Sequence, residues 1–384
     1  MIERQLSKLA REMAEEYPVV TLFGPRQSGK TTLVRAAFPG HGYVNLEDRE
    51  AKALAAEDAR SFFKLHPPPV ILDEIQHVPE LASAVQVLVD ERRHDMGRFI
   101  LTGSHQPLLA ETVSQSQAGR TAILDLYPPT IGELGAAAAD AGTDELLLRG
   151  FMPELWRSPG TDAVACYRNY LRTYVERDVR RIVNVRNLVL FEKFLTLLAG
   201  RTGQVANLHG MSGEVGVSST TLAEWLSILE ASFLVFWLPP CATNISKRVV
   251  KAPKIYFTET GLAVHLLGLE TAAQVARDPL RGQLFENLVV ADAMKQRANM
   301  GKEPRLSFLR TGGGFEVDLV ASDGGVTRPI EIKSSMTWHA GFASGVLRFA
   351  AETPRSTSPT VVYDGDDLDL SNGVSVRNFR NFRL

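Results

Sequence analysis

The sequence predicts an α/β protein whose N-terminal part is a parallel sheet covered by helices on both faces. Three observations lead to this prediction. The stretch Gly24 to Thr31 matches the pattern G-x-x-x-x-G-K-[ST]. Short apolar runs alternate with helical patterns over the first third of the chain. One apolar run, Pro69 to Leu72, ends in two adjacent carboxylates, Asp73 and Glu74.

The glycine-rich stretch has the surroundings that a phosphate-binding loop needs. Val19–Phe23 before it is a predicted strand, and Lys30–Ala37 after it is a predicted helix. Backbone N–H groups of such a loop surround nucleotide phosphates, Lys30 can reach the β- and γ-phosphates, and the Thr31 hydroxyl can bind Mg2+. We expect ATP and Mg2+ as ligands. The residues expected to bind the nucleotide are Gly24, Pro25, Arg26, Gln27, Ser28, Gly29, Lys30, Thr31 and Thr32.

Further apolar runs supply the other strands of the predicted sheet. They lie at Tyr43–Leu46, Val70–Asp73, Arg98–Thr102 and Ala122–Leu126. Alternation of strands with helices is typical of parallel sheets with helices on both faces.

The residues that follow these strands complete a candidate ATPase site. Asp73 is expected to hold Mg2+ and Glu74 to orient the attacking water, as in P-loop ATPases, although a core strand can also end in acids. Ser104 follows the next strand, and it or Thr102 is a candidate contact to the γ-phosphate or the water, although both are also common in turns. Arg120 is a candidate arginine finger for a neighbouring subunit, which would require a homo-oligomer, or a surface arginine.

The middle of the chain changes character after Tyr127-Pro128-Pro129. Residues 136–200 are helical in pattern, and residues 201–270 predict a winged helix–turn–helix within Gln204–Val235. A basic loop follows, with four cations that could bind DNA phosphates or pair with acids of another domain. These cations are Lys247, Arg248, Lys251 and Lys254.

Motifs spread over nearly the whole chain resemble one family of prokaryotic proteins. Its members pair an N-terminal AAA-type ATPase domain with a C-terminal domain of unknown function. The motifs occupy residues 24–32, 72–80, 101–104, 118–120, 174–179, 251–257, 260–263, 285–287, 316–318 and 331–333. The resemblance implies an AAA-like fold for residues 1–135. One departure is Glu259 before Thr260-Gly261, where similar proteins often have aspartate.

The last predicted domain, residues 271–384, carries a pattern of acids and lysine. Asp318, Glu331 and Lys333 form the D…E-x-K arrangement of restriction-endonuclease-like folds, with Glu286 as an additional acid on a preceding helix. Carboxylates at these positions could hold Mg2+ and activate water, and Lys333 could stabilise the transition state. The alternative is that these residues make ordinary cross-strand ion pairs.

Composition limits the class of protein. The chain has 384 residues, 45% of them hydrophobic and 22% charged, which is typical of globular proteins with more than one domain. Two cysteines exclude a disulfide framework, and no run of about 18 apolar residues predicts a membrane span. We expect a cytoplasmic protein without a signal peptide. The net charge of −2 means that nucleic-acid binding must depend on a local basic patch.

Two hypotheses for function follow. The first is an Mg2+-dependent ATPase that acts on nucleic acid, with binding and cleavage of DNA as candidate actions. The second is a nucleotide-gated switch whose nuclease-like domain is inactive and binds a protein partner. A small-molecule kinase is disfavoured, because adjacent acids such as Asp73 and Glu74 suit activation of water better than transfer to an alcohol.

Overall fold

The computed structural model describes residues 2–104, 119–158, 160–174, 188–241, 250–353 and 355–384. The chain divides into two compact units. The first comprises Met1–Pro129, Ala231–Phe233 and Arg297–Lys302. The second comprises Thr130–Glu230, Leu234–Gln296 and Glu303–Leu384. The division into four domains stays a prediction.

The first unit contains the predicted five-stranded sheet, and all of its neighbouring strands are parallel. The strands are β1 (Val19–Phe23), β2 (Gly42–Asn45), β3 (Val70–Asp73), β4 (Phe99–Gly103) and β5 (Thr121–Asp125). Their order is β2-β3-β4-β1-β5. The carboxyl ends of β1, β3 and β4 therefore meet at one edge of the sheet, which is the edge that carries the glycine-rich loop.

Helices cover both faces of this sheet because its strands are apolar on both faces. Leu33 and Val34 pack with Val20 and Leu22 of β1 on one face. On the other face, Val19 and Phe23 of the same strand belong to a cluster that contains residues of three helices. The helices of this unit are Leu6–Glu16, Lys30–Ala37, Arg49–Glu57, Ala59–Leu65 and Leu81–Glu91, with a 3-10 turn at Ile75–His77.

The second unit begins with helices, as predicted. Before residue 200 the structure describes Ile131–Leu134, Ala136–Asp140, Thr143–Arg149, Pro153–Arg157, Ala163–Tyr174 and Leu188–Ala199. Two helices, Leu208–Val215 and Ser219–Ala231, then flank a turn at Gly216. Gly216 has a φ of 91°, a left-handed conformation that glycine adopts without strain and other residues do not. The strands β6 (Val235–Leu238) and β7 (Lys254–Phe257) pair antiparallel. That these elements form a winged helix stays a prediction.

The C-terminal part of the second unit contains a mixed six-stranded sheet. Its strands are β8 (Leu306–Arg310), β9 (Glu316–Asp323), β10 (Val326–Lys333), β11 (Thr360–Tyr363), β12 (Leu368–Asp369) and β13 (Ser375–Asn378), in the order β12-β13-β11-β10-β9-β8. The first three are antiparallel, whereas β10, β11 and β13 are parallel neighbours. The sequence did not predict β12 and β13.

Helices accompany this sheet. They are Thr260–Leu266, Ala272–Arg277, Arg281–Asn299 and Ser344–Glu352, and a 3-10 turn spans Ala340–Ala343. Val346 and Phe349 of one helix pack on Val317, Val320 and Val361 of the sheet. In the part of the chain that the structure describes, no helix is both long enough and apolar enough to cross a membrane.

Candidate functional site

The loop between β1 and the helix Lys30–Ala37 is held in a strained, compact form. A Cβ atom at Gly24 would lie 2.1 Å from the carbonyl oxygen of Leu126, so only glycine fits there. Gly29 has φ 93° and Gln27 has φ 63°, both in the left-handed region. The chain can then turn its N–H groups toward the start of the helix, where the helix dipole also favours an anion.

Lys30 is fixed inside this loop. Its Nζ donates to the carbonyl oxygens of Gly24 and Pro25, each at 2.9 Å, and the residue is 5% exposed. The ammonium group is therefore already positioned among the N–H groups that would surround phosphates.

Arg4 supports the loop from outside. Its guanidinium donates to the Ser28 carbonyl at 2.9 Å and to the Tyr127 carbonyl at 2.6 Å. It thus joins the loop to the end of β5. Sequence analysis missed this residue, because no local pattern links position 4 to positions 28 and 127.

Asp73, at the end of β3, accepts hydrogen bonds from three hydroxyl groups. Its Oδ2 accepts from Thr31 at 2.8 Å and from Tyr43 at 2.7 Å. Its Oδ1 accepts from Thr102. The structure thus brings together the two residues predicted to hold Mg2+, Thr31 and Asp73, and their oxygen atoms are of the type that Mg2+ prefers.

Two of these hydroxyl donors were missed by sequence analysis. Thr102 had been considered only as an alternative to Ser104, and Tyr43 only as part of a strand. Burial, together with the hydrogen bond to Asp73, raises the pKa of Tyr43 well above its usual value. Tyr43 therefore stays protonated and acts as a donor. Its ring also lies under the guanidinium of Arg35, 4.8 Å from ring centroid to Cζ.

Glu74 and Ser104 follow neighbouring strands, β3 and β4, and a third side chain connects them. The amide Nε2 of Gln76 donates to the Glu74 carboxylate and, at 3.0 Å, to the Ser104 hydroxyl. Glu74 itself has φ 59° and ψ 48°, an uncommon conformation for a residue other than glycine. Its N–H donates to Thr102 Oγ1 at 3.3 Å.

Arg120 lies at the opposite edge of the sheet from the loop. Its carbonyl accepts from the N–H of Val19, at the start of β1, and its guanidinium makes two hydrogen bonds of 2.9 Å with the carboxylate of Asp90. The five residues of β1, which rise about 3.3 Å each, separate Arg120 from the loop. Arg120 therefore cannot reach phosphates that are bound by the loop of its own subunit. The arginine finger for a neighbouring copy stays a prediction.

In the second unit, the predicted acids and lysine of β9 and β10 come together. Leu319 pairs with Ile330, so the next positions, Asp318 and Glu331, lie opposite each other on one face. Lys333 Nζ lies 2.6 Å from Glu331 Oε1 and 3.9 Å from Asp318 Oδ2. The N–H of Ile332 also donates to Asp318 Oδ2 at 2.9 Å.

Glu286, from the helix Arg281–Asn299, belongs to the same group of charges. Its Oε1 accepts from Tyr256 at 2.5 Å and lies 3.0 Å from Lys254 Nζ. Lys254 Nζ also lies 2.8 Å from Glu316 Oε1. We call the six residues Lys254, Glu286, Glu316, Asp318, Glu331 and Lys333 the carboxylate cluster.

The position of Lys254 distinguishes between the two roles that the sequence left open for it. Lys254 was expected either to bind DNA phosphates or to pair with acids of another domain or subunit, and it is 2% exposed and held by Glu286 and Glu316, which favours pairing with acids. On β7 its side chain is directed into the cluster, where the charges of the acids stabilise the ammonium group against the cost of burial. Lys251 is exposed, and Lys247 and Arg248 lie outside the described residues.

Burial controls the protonation of the cluster. Burial and the charge of Asp318 raise the pKa of Glu286 to about 7 and that of Glu331 to about 7. Burial also raises the pKa of Asp318. For Lys254, burial acts to lower the pKa, but the charges of Glu286, Asp318 and Glu316 outweigh it and the pKa is raised.

The cluster does not form a ready metal site. In the described part of the chain, no group of three or more His, Cys, Asp or Glu residues is arranged to hold a metal ion. The acids Glu286, Asp318 and Glu331, predicted to bind Mg2+, instead lie within 3.9 Å of lysine ammonium groups. The arrangement fits the predicted ion only if Lys254 or Lys333 moves away.

Three ranges of the chain match models of known protein families. Residues 16–135 match the family model of an AAA domain. Residues 141–273 and 281–381 match two domains of unknown function, DUF8612 and DUF4143 respectively. The sheet that contains the phosphate loop is therefore that of an AAA-type ATPase domain, and the resemblance found in the sequence is confirmed for this part.

Two relatives match most of the chain. The uncharacterized proteins Rv2008c of Mycobacterium tuberculosis and Mb2031c of Mycobacterium bovis are each 31% identical over 347 residues, which are 88% of this chain and 75% of theirs. The chain belongs to the same family as these two proteins.

Solved structures also resemble the chain. The Walker-type ATPase PABY2304 of Pyrococcus abyssi is 13% identical, with a TM-score of 0.44 over 69% of this chain and 96% of its own. DnaA of Aquifex aeolicus, solved with bound AMPPCP, is 15% identical, with a TM-score of 0.31 over 59% of this chain and 86% of its own.

Replacing Lys254 by methionine is expected to destabilise the second unit. The change leaves Glu286, which is largely buried, and Glu316, which is partly exposed, without their cation, and loss of the partner of a buried charge costs about 3–5 kcal/mol. Because the pKa of Glu286 is raised to about 7, folding takes up a proton there, and the carboxylate is fully ionised only above pH 7. The loss should therefore be larger at pH 8 than at pH 5. Urea unfolding at both pH values measures it.

Lys251→Met is the matched control, because Lys251 lies three positions away and is exposed. It should change the free energy of unfolding by no more than about 0.5 kcal/mol. Equal stability of both variants at pH 8 would contradict the role assigned to Lys254.

Proposed function

We propose that this protein binds ATP with Mg2+ and hydrolyses it. The observation that carries the proposal is the meeting of Lys30, Thr31 and Asp73 at the carboxyl edge of a parallel sheet, with Glu74 and Ser104 beside them. Phosphate-binding groups, oxygen ligands for Mg2+ and a carboxylate for water are what ATP hydrolysis requires. Because ATP is the substrate, the cytoplasm is the compartment that we propose.

Each residue has a separate role in this proposal. The loop and Lys30 bind the phosphates, and Thr31 and Asp73 hold Mg2+, which would neutralise charge on the β- and γ-phosphates. The oxygen of a water molecule forms a bond to the γ-phosphorus, and the bond from that phosphorus to the β–γ bridging oxygen breaks. Glu74 accepts the proton that the water loses, which leaves ADP and inorganic phosphate.

Glu74→Gln and Lys30→Ala should both abolish most ATP turnover, for different reasons. Glutamine cannot accept the proton, so Glu74→Gln should lower kcat by about 100-fold or more while ATP still binds. Lys30→Ala removes a cation from the phosphates and should weaken ATP binding itself. Phosphate release and binding of a fluorescent ATP analogue measure the two effects.

Exposed residues of the same type serve as controls for these variants. Glu80→Gln and Lys64→Ala change the same charges at exposed positions of the same unit and should leave turnover unchanged. If Lys30→Ala and Glu74→Gln turned over ATP at the wild-type rate, the proposed site would be wrong.

We also propose that a second copy of the chain supplies its Arg120 to this site. For this, the hydrogen bonds between Arg120 and Asp90 must break. Arg120→Ala should then lower kcat by about 10³-fold without weakening ATP binding. Mixing it with Lys30→Ala should restore part of the activity, because one protein keeps the loop and the other keeps the finger.

Arg93→Ala is the matched control for Arg120→Ala, since Arg93 also pairs with Asp90 and is largely exposed. It should behave as wild type. If the mixture is no more active than its two components, the shared site is excluded.

For the second unit, we propose action on nucleic acid through a nuclease-like domain. Support comes from the shared face of Asp318, Glu331 and Lys333 and from the nearby Glu286. Lys251 is exposed and remains a candidate contact to nucleic-acid phosphates. Lys247 and Arg248 remain candidates as well, although they lie outside the described residues.

A second candidate function has its own support. Each lysine already pairs with acids of the cluster, Lys254 with Glu286 and Glu316 and Lys333 with Glu331, which favours an inactive domain over a metal-dependent nuclease. In that case ATP would gate a switch, and the second unit would bind a protein partner.

A plasmid-nicking assay with Mg2+ or Mn2+ separates the two candidates. If the cluster cleaves DNA, wild type should nick supercoiled plasmid, and Asp318→Ala and Lys333→Ala should lose nicking because each removes a group needed at the phosphodiester. Asp366→Ala changes an exposed acid of the same unit and should keep it. Cleavage by all four proteins would identify a contaminant, and cleavage by none would favour the switch.

A further inference from the structure

We propose that Gln76 is a positioning residue of the ATPase site, which orients Glu74 toward the attacking water and Ser104 toward the γ-phosphate. This inference rests on the proposed hydrolysis of ATP. It assigns a role to a residue that lies outside the phosphate-loop and Asp73-Glu74 motifs. The evidence is the bridge that its Nε2 makes between the Glu74 carboxylate and the Ser104 hydroxyl.

The backbone holds Gln76 firmly in this place. Gln76 is the middle residue of the 3-10 turn Ile75–His77, whose first residue, Ile75, is fully buried in the core. The N–H of His77 donates to the carbonyl of Glu74 at 3.1 Å, which closes the turn. Glu74 and Gln76 are therefore the first and third residues of one hydrogen-bonded turn.

The bridge fixes which atoms remain for the reaction. An amide group has two N–H hydrogens, and both are used, one by Glu74 Oε2 and one by Ser104 Oγ. We assign acceptance of the proton from water to Glu74 Oε1, because Oε2 already accepts a hydrogen bond from Gln76. Because Ser104 Oγ accepts from Gln76, its own hydrogen is directed elsewhere and can be donated to a phosphate oxygen.

The other polar atom of the side chain argues against a purely structural role. Gln76 Oε1 is buried and has no hydrogen-bond partner among the described residues. A buried unsatisfied polar atom costs about 1–3 kcal/mol. This cost offsets part of the stability that the two hydrogen bonds of Nε2 contribute, so stability of the fold alone gives little reason for an amide at this position.

Gln76→Met is the test, because methionine has the same length and no N–H donor. Losing a hydrogen bond to a charged group should lower kcat about 10- to 100-fold. The KM for ATP and the affinity for a fluorescent ATP analogue should change less than about twofold, because the phosphate contacts are intact. Gln86→Met, at a half-buried position on the helix Leu81–Glu91, is the control and should match wild type.

Combining the variants tests whether Gln76 acts through Glu74. In the Glu74→Gln background, Gln76→Met should lower the residual rate by a smaller factor than it lowers the wild-type rate, since one of the two groups that it orients is already lost. Gln76→Glu, which keeps the shape but cannot donate, should reproduce the kcat loss of Gln76→Met.

The possible results are distinct. If wild type turns over ATP, Glu74→Gln does not, and Gln76→Met keeps the wild-type kcat, this inference alone is overturned. The same holds if Gln76→Met and Gln76→Glu both lose ATP binding, because the role is then structural. If wild type shows no turnover, the proposed function and this inference both fail.

Discussion

The carboxylate of Asp73 is the point on which the nucleotide site depends. It accepts hydrogen bonds from Thr31 after the loop, from Tyr43 of β2 and from Thr102 of β4, so three neighbouring segments of the sheet edge converge on one charge. Hydrogen bonds to a charged group contribute about 1.5–3 kcal/mol each. A buried carboxylate without them would be too costly to keep ionised. The same bonds that stabilise the charge also fix its direction relative to the loop.

The two units handle buried carboxylates in opposite ways. In the first unit, neutral hydroxyl groups surround Asp73, so its negative charge stays available to a cation. In the second unit, two lysines pair with acids of the cluster, and part of its negative charge is compensated within the protein. This difference explains why the first site is suited to Mg2+ as it stands, whereas the cluster would first have to release an ammonium group.

The sequence predicted those parts of the molecule that local patterns determine. The parallel sheet, the loop and the pair Thr31 and Asp73 follow from apolar periodicity and one short motif. Tyr43, Gln76 and Arg4 were missed because their roles arise from contacts between segments distant in sequence, or from a side-chain bridge that no spacing rule describes. The role of Lys254 stayed open in the sequence for a related reason, since charge in a basic stretch does not show which side of a strand faces solvent.

Lys254 also connects the β6–β7 ribbon to the C-terminal sheet. Its ammonium holds Glu286 of the helix Arg281–Asn299 and Glu316 of β9, while the next residue of that helix, Asn287, bonds both the N–H and the carbonyl of Phe257 on β7. The ribbon is thus held by an ion pair and by two amide hydrogen bonds. A cation that entered the cluster would compete with Lys254 for the same carboxylates, and the amide bonds would then hold the ribbon without the ion pair. The charge state of the cluster and the attachment of the ribbon are therefore linked through one side chain.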